Sequence, residues 1–334
     1  MPRPSFYNHH SHLLRSLSEE LTPPQFYILK FYMEAFFTPL EFQPFFDQKN
    51  DFGPDAQAWL REMEGFLADG NPILQPFFRQ QLFPGVDFYQ DRSIRRQPKT
   101  LLISFAGFYM PLGLSTAVFL QMIASEHCDT LLLNDGSMLG YEKGIPGYAN
   151  SYEALIAKLK HDFGISRYQY LRLCGMSRGG YASLRAATDL CPISALSIGG
   201  SYPILQKSPT HLVDNLITQN IDRLRRLDLQ WYQLWQKLKL DKNLGLKNTR
   251  DVSAFRSSAF HITQDPGESN ITGSTLINVY SEQSPYDTQS NAALQQKFAQ
   301  LESYPIAGVT EHNLAYVLLK QKQLNRFLKR YLFP

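Results

Sequence analysis

One serine of this 334-residue chain stands in a setting that can make its hydroxyl react. Ser177 is the centre of Gly175-Met176-Ser177-Arg178-Gly179, with glycines two positions before and two after it. Residues spaced in this way suit a turn at which a strand folds abruptly into a helix. The glycines remove side chains where the chain nearly touches itself, and the serine oxygen projects near the positive end of the helix. The chemistry implied is nucleophilic attack on an acyl carbon. A serine hydroxyl is a weak nucleophile at its ordinary pKa, so a neighbouring base is required, and a carboxylate to orient that base. His261 and His312 lie downstream, as do the carboxylates Glu282 and Asp287. A glycine-rich turn of this kind also occurs in nucleotide-binding proteins, but the chain has neither a G-x-G-x-x-G fingerprint nor a G-x-x-x-x-G-K-[ST] loop.

The elements around Ser177 are those such a turn needs. Tyr168 to Cys174 reads as a strand and Arg178 to Thr188 as a helix that begins directly after the serine. From Thr100 onward strands and helices alternate, which predicts a mostly parallel central sheet with helices on both faces. Further strands are expected at Leu101 to Phe105, Thr130 to Leu133, Ile193 to Ile198, Leu276 to Tyr280 and Tyr304 to Val309. Helices are expected at Ser115 to Ser125, Ser151 to Phe163, Thr288 to Leu301 and from Asn313. Residues 101–125 carry no charge and are long enough to span a bilayer. Yet Ala106-Gly107, Pro111-Leu112-Gly113 and Ser115-Thr116 interrupt them, so a strand, a loop and a buried helix are expected there instead of a transmembrane segment.

Two regions stand apart from the alternation. Residues 1–97 are cut by prolines into short pieces with helical patterns at Phe26 to Phe37 and Ala56 to Leu67, predicting a mostly helical N-terminal region. His9, His10 and His12 lack acidic or cysteine companions and read as a solvated terminus rather than a metal site. Residues 205–265 interrupt the alternation, with Ile217, Ile221, Leu224, Trp231, Leu234, Trp235 and Leu238 at helical spacing and several arginines and lysines between them. These predict an amphipathic helical cap. The core is thus expected in two parts, 98–204 and 266–334.

Composition narrows the functional classes. With Lys plus Arg at 33 and Asp plus Glu at 30, the formal charge is only +3, which points to no nucleic-acid partner. Three cysteines form neither a disulfide framework nor metal-ligand spacing. No apolar leader opens Met1 to Glu20, so the cytoplasm is the default expectation.

The element order, the turn at Ser177 and the downstream His312 resemble the α/β-hydrolase superfamily over about residues 98–204 and 266–334. The resemblance implies the chain order nucleophile, acid, histidine, with the histidine on the loop after the last strand. Thr310-Glu311-His312-Asn313 fits that place, whereas His261 precedes the strand that should lead to the acid. Many members carry an aspartate three residues beyond a glycine after that strand, where this chain has Ser281 and Ser284. Glu282, nearest the strand end, is the favoured acid, and Asp287, also suited to cap the next helix, is the alternative. For the oxyanion hole the resemblance implies the backbone amide of Arg178 and, by likeness to histidine-glycine-x loops, that of Phe108, although Ala106 replaces the histidine. No cofactor or metal is implied. The expected activity is cleavage of a small-molecule or glycan ester by a serine hydrolase of carboxylesterase or deacetylase type. An O-acyltransferase that uses a glycan hydroxyl as acceptor is the alternative, and a non-catalytic binding protein on the same fold is a further one.

Overall fold

The computed structural model describes residues 23–68, 77–83, 85–91, 100–107, 110–135, 140–202 and 274–334. The cap expected at 205–265, the histidines 9, 10 and 12, and Phe108 fall outside them.

By its internal contacts the chain divides into two units. The described part of the first comprises residues 23–34 and 41–65. It draws on three helices, α1 (Pro23–Phe36), α2 (Pro39–Asp47) and α3 (Pro54–Ala68). Each opens on a proline, whose fixed φ and missing N–H suit the first helical position. Trp59 of α3 is the hub. Its indole N–H donates to Glu34 Oε1 at 2.7 Å, and its ring meets those of Phe26 and Phe42 edge-on. Burial pushes the Glu34 carboxyl above its ordinary pKa, against the pull of Lys30.

The second unit holds an eight-stranded sheet in the order β1-β2-β4-β3-β5-β6-β7-β8. The strands are β1 (Phe77–Phe83), β2 (Val86–Asp91), β3 (Thr100–Phe105), β4 (Cys128–Leu133), β5 (Tyr170–Met176), β6 (Ser194–Ile198), β7 (Thr275–Ser281) and β8 (Glu302–Ile306). β1 and β2 form an antiparallel hairpin laid antiparallel on β4, and every pairing from β4 to β8 is parallel. The helices α4 (Thr116–Ile123), α5 (Tyr152–Asp162), α6 (Arg178–Leu190) and α7 (Pro285–Lys297) alternate with the parallel strands, and α8 (Leu314–Lys320) and α9 (Leu324–Tyr331) close the chain. Strands covered on both faces bury nearly every residue. β3, β4, β5 and β6 do so, which is why their sequences read as continuous apolar runs.

The strand and helix positions expected from Thr100 onward are met within a few residues. Ser115, Ser151 and Asn313 cap α4, α5 and α8 with side-chain hydrogen bonds. Residues 101–125 form β3, a loop and α4, and no helix among the described residues is long and apolar enough to cross a membrane. One expectation fails. Residues 77–83 and 86–91, read as part of a helical N-terminal region, form the first two strands of the sheet. As an edge strand β1 has few buried residues, so it carries little of the alternation that marks a strand in sequence.

Candidate active site

Ser177 falls between the last residue of β5 and the first of α6, with φ 54° and ψ −124°. This is a backbone conformation that a side chain disfavours, so the surroundings must hold it. They do so by main-chain bonds. The Ser177 amide donates to Ile198 O at 3.0 Å, and its carbonyl accepts from Gly180 N at 2.9 Å and from Ser201 N at 2.9 Å. The flanking glycines are required by close approach. A Cβ at Gly175 would overlap the Gly179 carbonyl, and a Cβ at Gly179 would overlap that of Phe105. Glycine at both places lets α6 start against the ends of β3 and β5.

The loop after β3 runs along the same turn. A Cβ at Gly107 would stand 2.5 Å from Met176 O and 3.5 Å from Ser177 Cβ. Gly113, at φ 70°, passes between the Met176 sulfur and Asn313 Oδ1, and its carbonyl accepts from Asn313 Nδ2 at 3.3 Å. The buried Tyr141 hydroxyl pins the root of the loop by donating to Ala106 O and Leu133 O, and burial raises its pKa. Arg178 is the first residue of α6, where backbone N–H groups point out of the helix.

His312 lies on the loop between β8 and α8. Its Nδ1 is 2.6 Å from Asp287 Oδ1, and the Asp287 side chain is fully buried. Asp287 Oδ2 also accepts from the Ser281 amide at 3.3 Å. The Tyr286 ring meets the imidazole edge-on at 5.5 Å. Room for the imidazole comes from Gly199, at φ 54°, where a Cβ would stand 3.2 Å from ring atoms of His312.

The structure therefore brings Asp287 to His312, and the favoured Glu282 does not hold that position. Glu282 is exposed at the strand end, where its amide bonds Ile306 O and its carbonyl accepts from Thr288. Asp287, the alternative acid, is by sequence also suited to cap the helix, but Ser284 is the cap of α7. Ser284 Oγ accepts from the Asp287 amide, Pro285 takes the first helical position, and the Asp287 carboxylate is left for the histidine.

Sequence reasoning also missed Ser201. Its Oγ lies 3.1 Å from Ser177 Oγ, and it sits just past β6 in Gly199-Gly200-Ser201. Gly199-Gly200 directly follow the strand expected at Ile193 to Ile198, and their local spacing carries no signal that the next serine reaches Ser177.

The half-buried serine on a strained strand-to-helix turn, above a mostly parallel sheet with a histidine–carboxylate pair after its last strands, decides the architecture. The fold is that of the α/β hydrolases.

No protein-family model matches the chain, and no curated protein is similar to it in sequence. Solved structures that the chain matches include a lidless α/β serine hydrolase from Xanthomonas campestris. It is 14% identical, with 77% of this chain and 95% of that one covered and a TM-score of 0.35. S-formylglutathione hydrolase from Staphylococcus aureus is 12% identical, with coverage of 76% and 98% and a TM-score of 0.39. The Francisella virulence factor BioJ is 11% identical, with coverage of 95% and 98% and a TM-score of 0.39.

Proposed function

We propose that this chain is a serine hydrolase that cleaves an ester through an acyl-enzyme on Ser177. His312 acts as the base and Asp287 as the carboxylate that orients it. The observation that carries the reading is the 2.6 Å contact between His312 Nδ1 and the buried Asp287 carboxylate. A carboxylate on Nδ1 keeps the proton on that nitrogen and leaves Nε2 as the acceptor. His312 Nε2 takes the Ser177 hydroxyl proton as Oγ bonds to the acyl carbon. The carbonyl oxygen becomes an oxyanion, which the Arg178 amide and an amide of the loop holding Phe108 would stabilise. Collapse breaks the bond to the leaving alkoxide, which receives the proton from His312 and departs as the alcohol. Water then attacks the acyl-enzyme, giving its proton to His312. The proton returns to Ser177 Oγ as the carboxylic acid leaves.

The test is covalent labelling with an alkyl fluorophosphonate, followed by mapping of the modified peptide. The wild-type chain is expected to label at Ser177 and the Ser177→Ala variant not at all. Equal labelling of the two would remove the nucleophile assignment. Release of carboxylic acid from p-nitrophenyl esters, with and without an added glycan acceptor, separates hydrolysis from acyl transfer.

A further inference from the structure

The turn that follows β6 touches both halves of the site. Gly199 borders the His312 ring, and Ser201, two residues on, meets Ser177 twice. The Ser201 amide donates to the Ser177 carbonyl at 2.9 Å, and the two hydroxyl oxygens stand 3.1 Å apart. Ser201 is only 3% exposed. A buried hydroxyl needs a partner, and here the partner is the oxygen proposed to attack.

The turn is also held rigidly. The Gly200 amide donates to Asn278 Oδ1 at 3.2 Å, and Asn278 Nδ2 donates to Asn291 Oδ1 at 2.8 Å. Asn291 Oδ1 also accepts from Ser303 Oγ at 2.9 Å. Asn278 is fully buried in β7, and Asn291 lies one helical turn beyond Asp287 in α7. A Cβ at Gly200 would overlap Ser197 Oγ, so glycine lets the turn pass close to that buried serine. The helix that carries the carboxylate and the turn that carries Ser201 are thus tied by one buried amide network.

The geometry points to Ser201 as a positioning residue for the nucleophile, an inference that rests on the reading of Ser177 given above. Two hydroxyls in contact can share one hydrogen bond in either direction. Ser177 must keep its own proton available for His312, so the productive direction is donation from Ser201 to Ser177 Oγ. That bond holds the Ser177 side chain in one rotamer and favours negative charge developing on its oxygen during attack. In the reverse direction Ser177 would spend its proton on Ser201, and the contact would slow the reaction.

The experiment measures the maximal inactivation rate (kinact) and the reversible affinity (KI) of an alkyl fluorophosphonate on full-length chains. Ser201→Ala is expected to lower kinact about 10-fold while leaving KI unchanged, the size of one hydrogen bond that strengthens as charge develops on Ser177 Oγ in the transition state. Ser201→Thr, which keeps the hydroxyl, is expected to regain most of that rate. Ser201→Cys, near in size and a weak donor, takes the place of the alanine variant should that one not fold. An alanine variant that reacts within about twofold of wild type, or faster, overturns the inference, taking twofold as below the worth of a single hydrogen bond. So does a threonine variant no faster than alanine. Wild-type chain that is not labelled overturns the nucleophile reading and this inference with it. Labelling of wild type but not of Ser177→Ala leaves Ser201 judged on its own variants.

Discussion

The carboxylate that serves His312 is the sharpest question at the residue scale. Asp287 is buried with one oxygen on Nδ1 and the other on the Ser281 amide, whereas Glu282 faces solvent. Asp287→Asn keeps the shape of the side chain but can present an N–H to Nδ1 and turn the imidazole to the wrong tautomer. We expect ester hydrolysis to fall by about 10³- to 10⁴-fold, mainly in kcat. Glu282→Gln is expected to stay within about twofold of wild type, since an exposed side chain away from the reacting atoms has little to contribute. Steady-state kinetics on both variants decide the matter, and the opposite ranking would return the role to Glu282. Sequence position favoured Glu282 because it is nearer the strand end. What it missed is that Ser284 and Pro285 already satisfy the start of α7.

At the scale of elements, α6 shows how glycine and its absence tune stability. In the first turn of the helix Gly179 lies against the Phe105 carbonyl, and the C-cap is Cys191 at φ 48°, a left-handed position that favours glycine. Cys191→Gly relieves that strain and is expected to raise unfolding free energy by about 1 kcal/mol in urea titration. Gly179→Ala places a methyl group into the Phe105 carbonyl, with no flexible side chain to yield. A loss of more than about 2 kcal/mol is expected from it. A neutral result for Gly179→Ala would mean the helix can shift away from β3. The elements themselves were largely legible from their caps and apolar runs, as with Ser115, Ser151 and the stretch Leu101 to Phe105. The edge strand β1 was not, because a sheet edge buries few residues and leaves a faint pattern.

Across the whole molecule, the cysteines report how tightly the sheet is covered. Cys128 and Cys174 are buried in β4 and β5, and burial pushes both thiols from 9.0 up to about 12. Cys191 is exposed. Native protein is therefore expected to give one fast thiol with a disulfide reagent at neutral pH and three after unfolding. A second fast thiol would show that the sheet opens. The same shifts set the alkaline limit of stability. A thiol whose folded pKa is raised keeps the folded state fully favoured below 9.0, and that advantage is lost as pH climbs toward about 12. The buried hydroxyls of Tyr141 and Tyr152, also raised by burial, act in the same direction. Melting temperature is expected to decline progressively above about pH 9, and a flat profile to pH 11 would contradict it.

The amino-acid sequence by itself determined the alternation of strands and helices, the turn at Ser177 and the place of His312. Each of these is written in local spacing: apolar runs, caps, and glycines two residues either side of a serine. Tertiary structure alone decided that Asp287 and not Glu282 reaches His312, that residues 77–83 and 86–91 join the sheet, and that Ser201 meets Ser177 from 24 positions away. These depend on which strand lies beside which, and on which carboxylate is left over once a helix start has been satisfied. Such choices are made by packing between distant segments, and no local spacing records them.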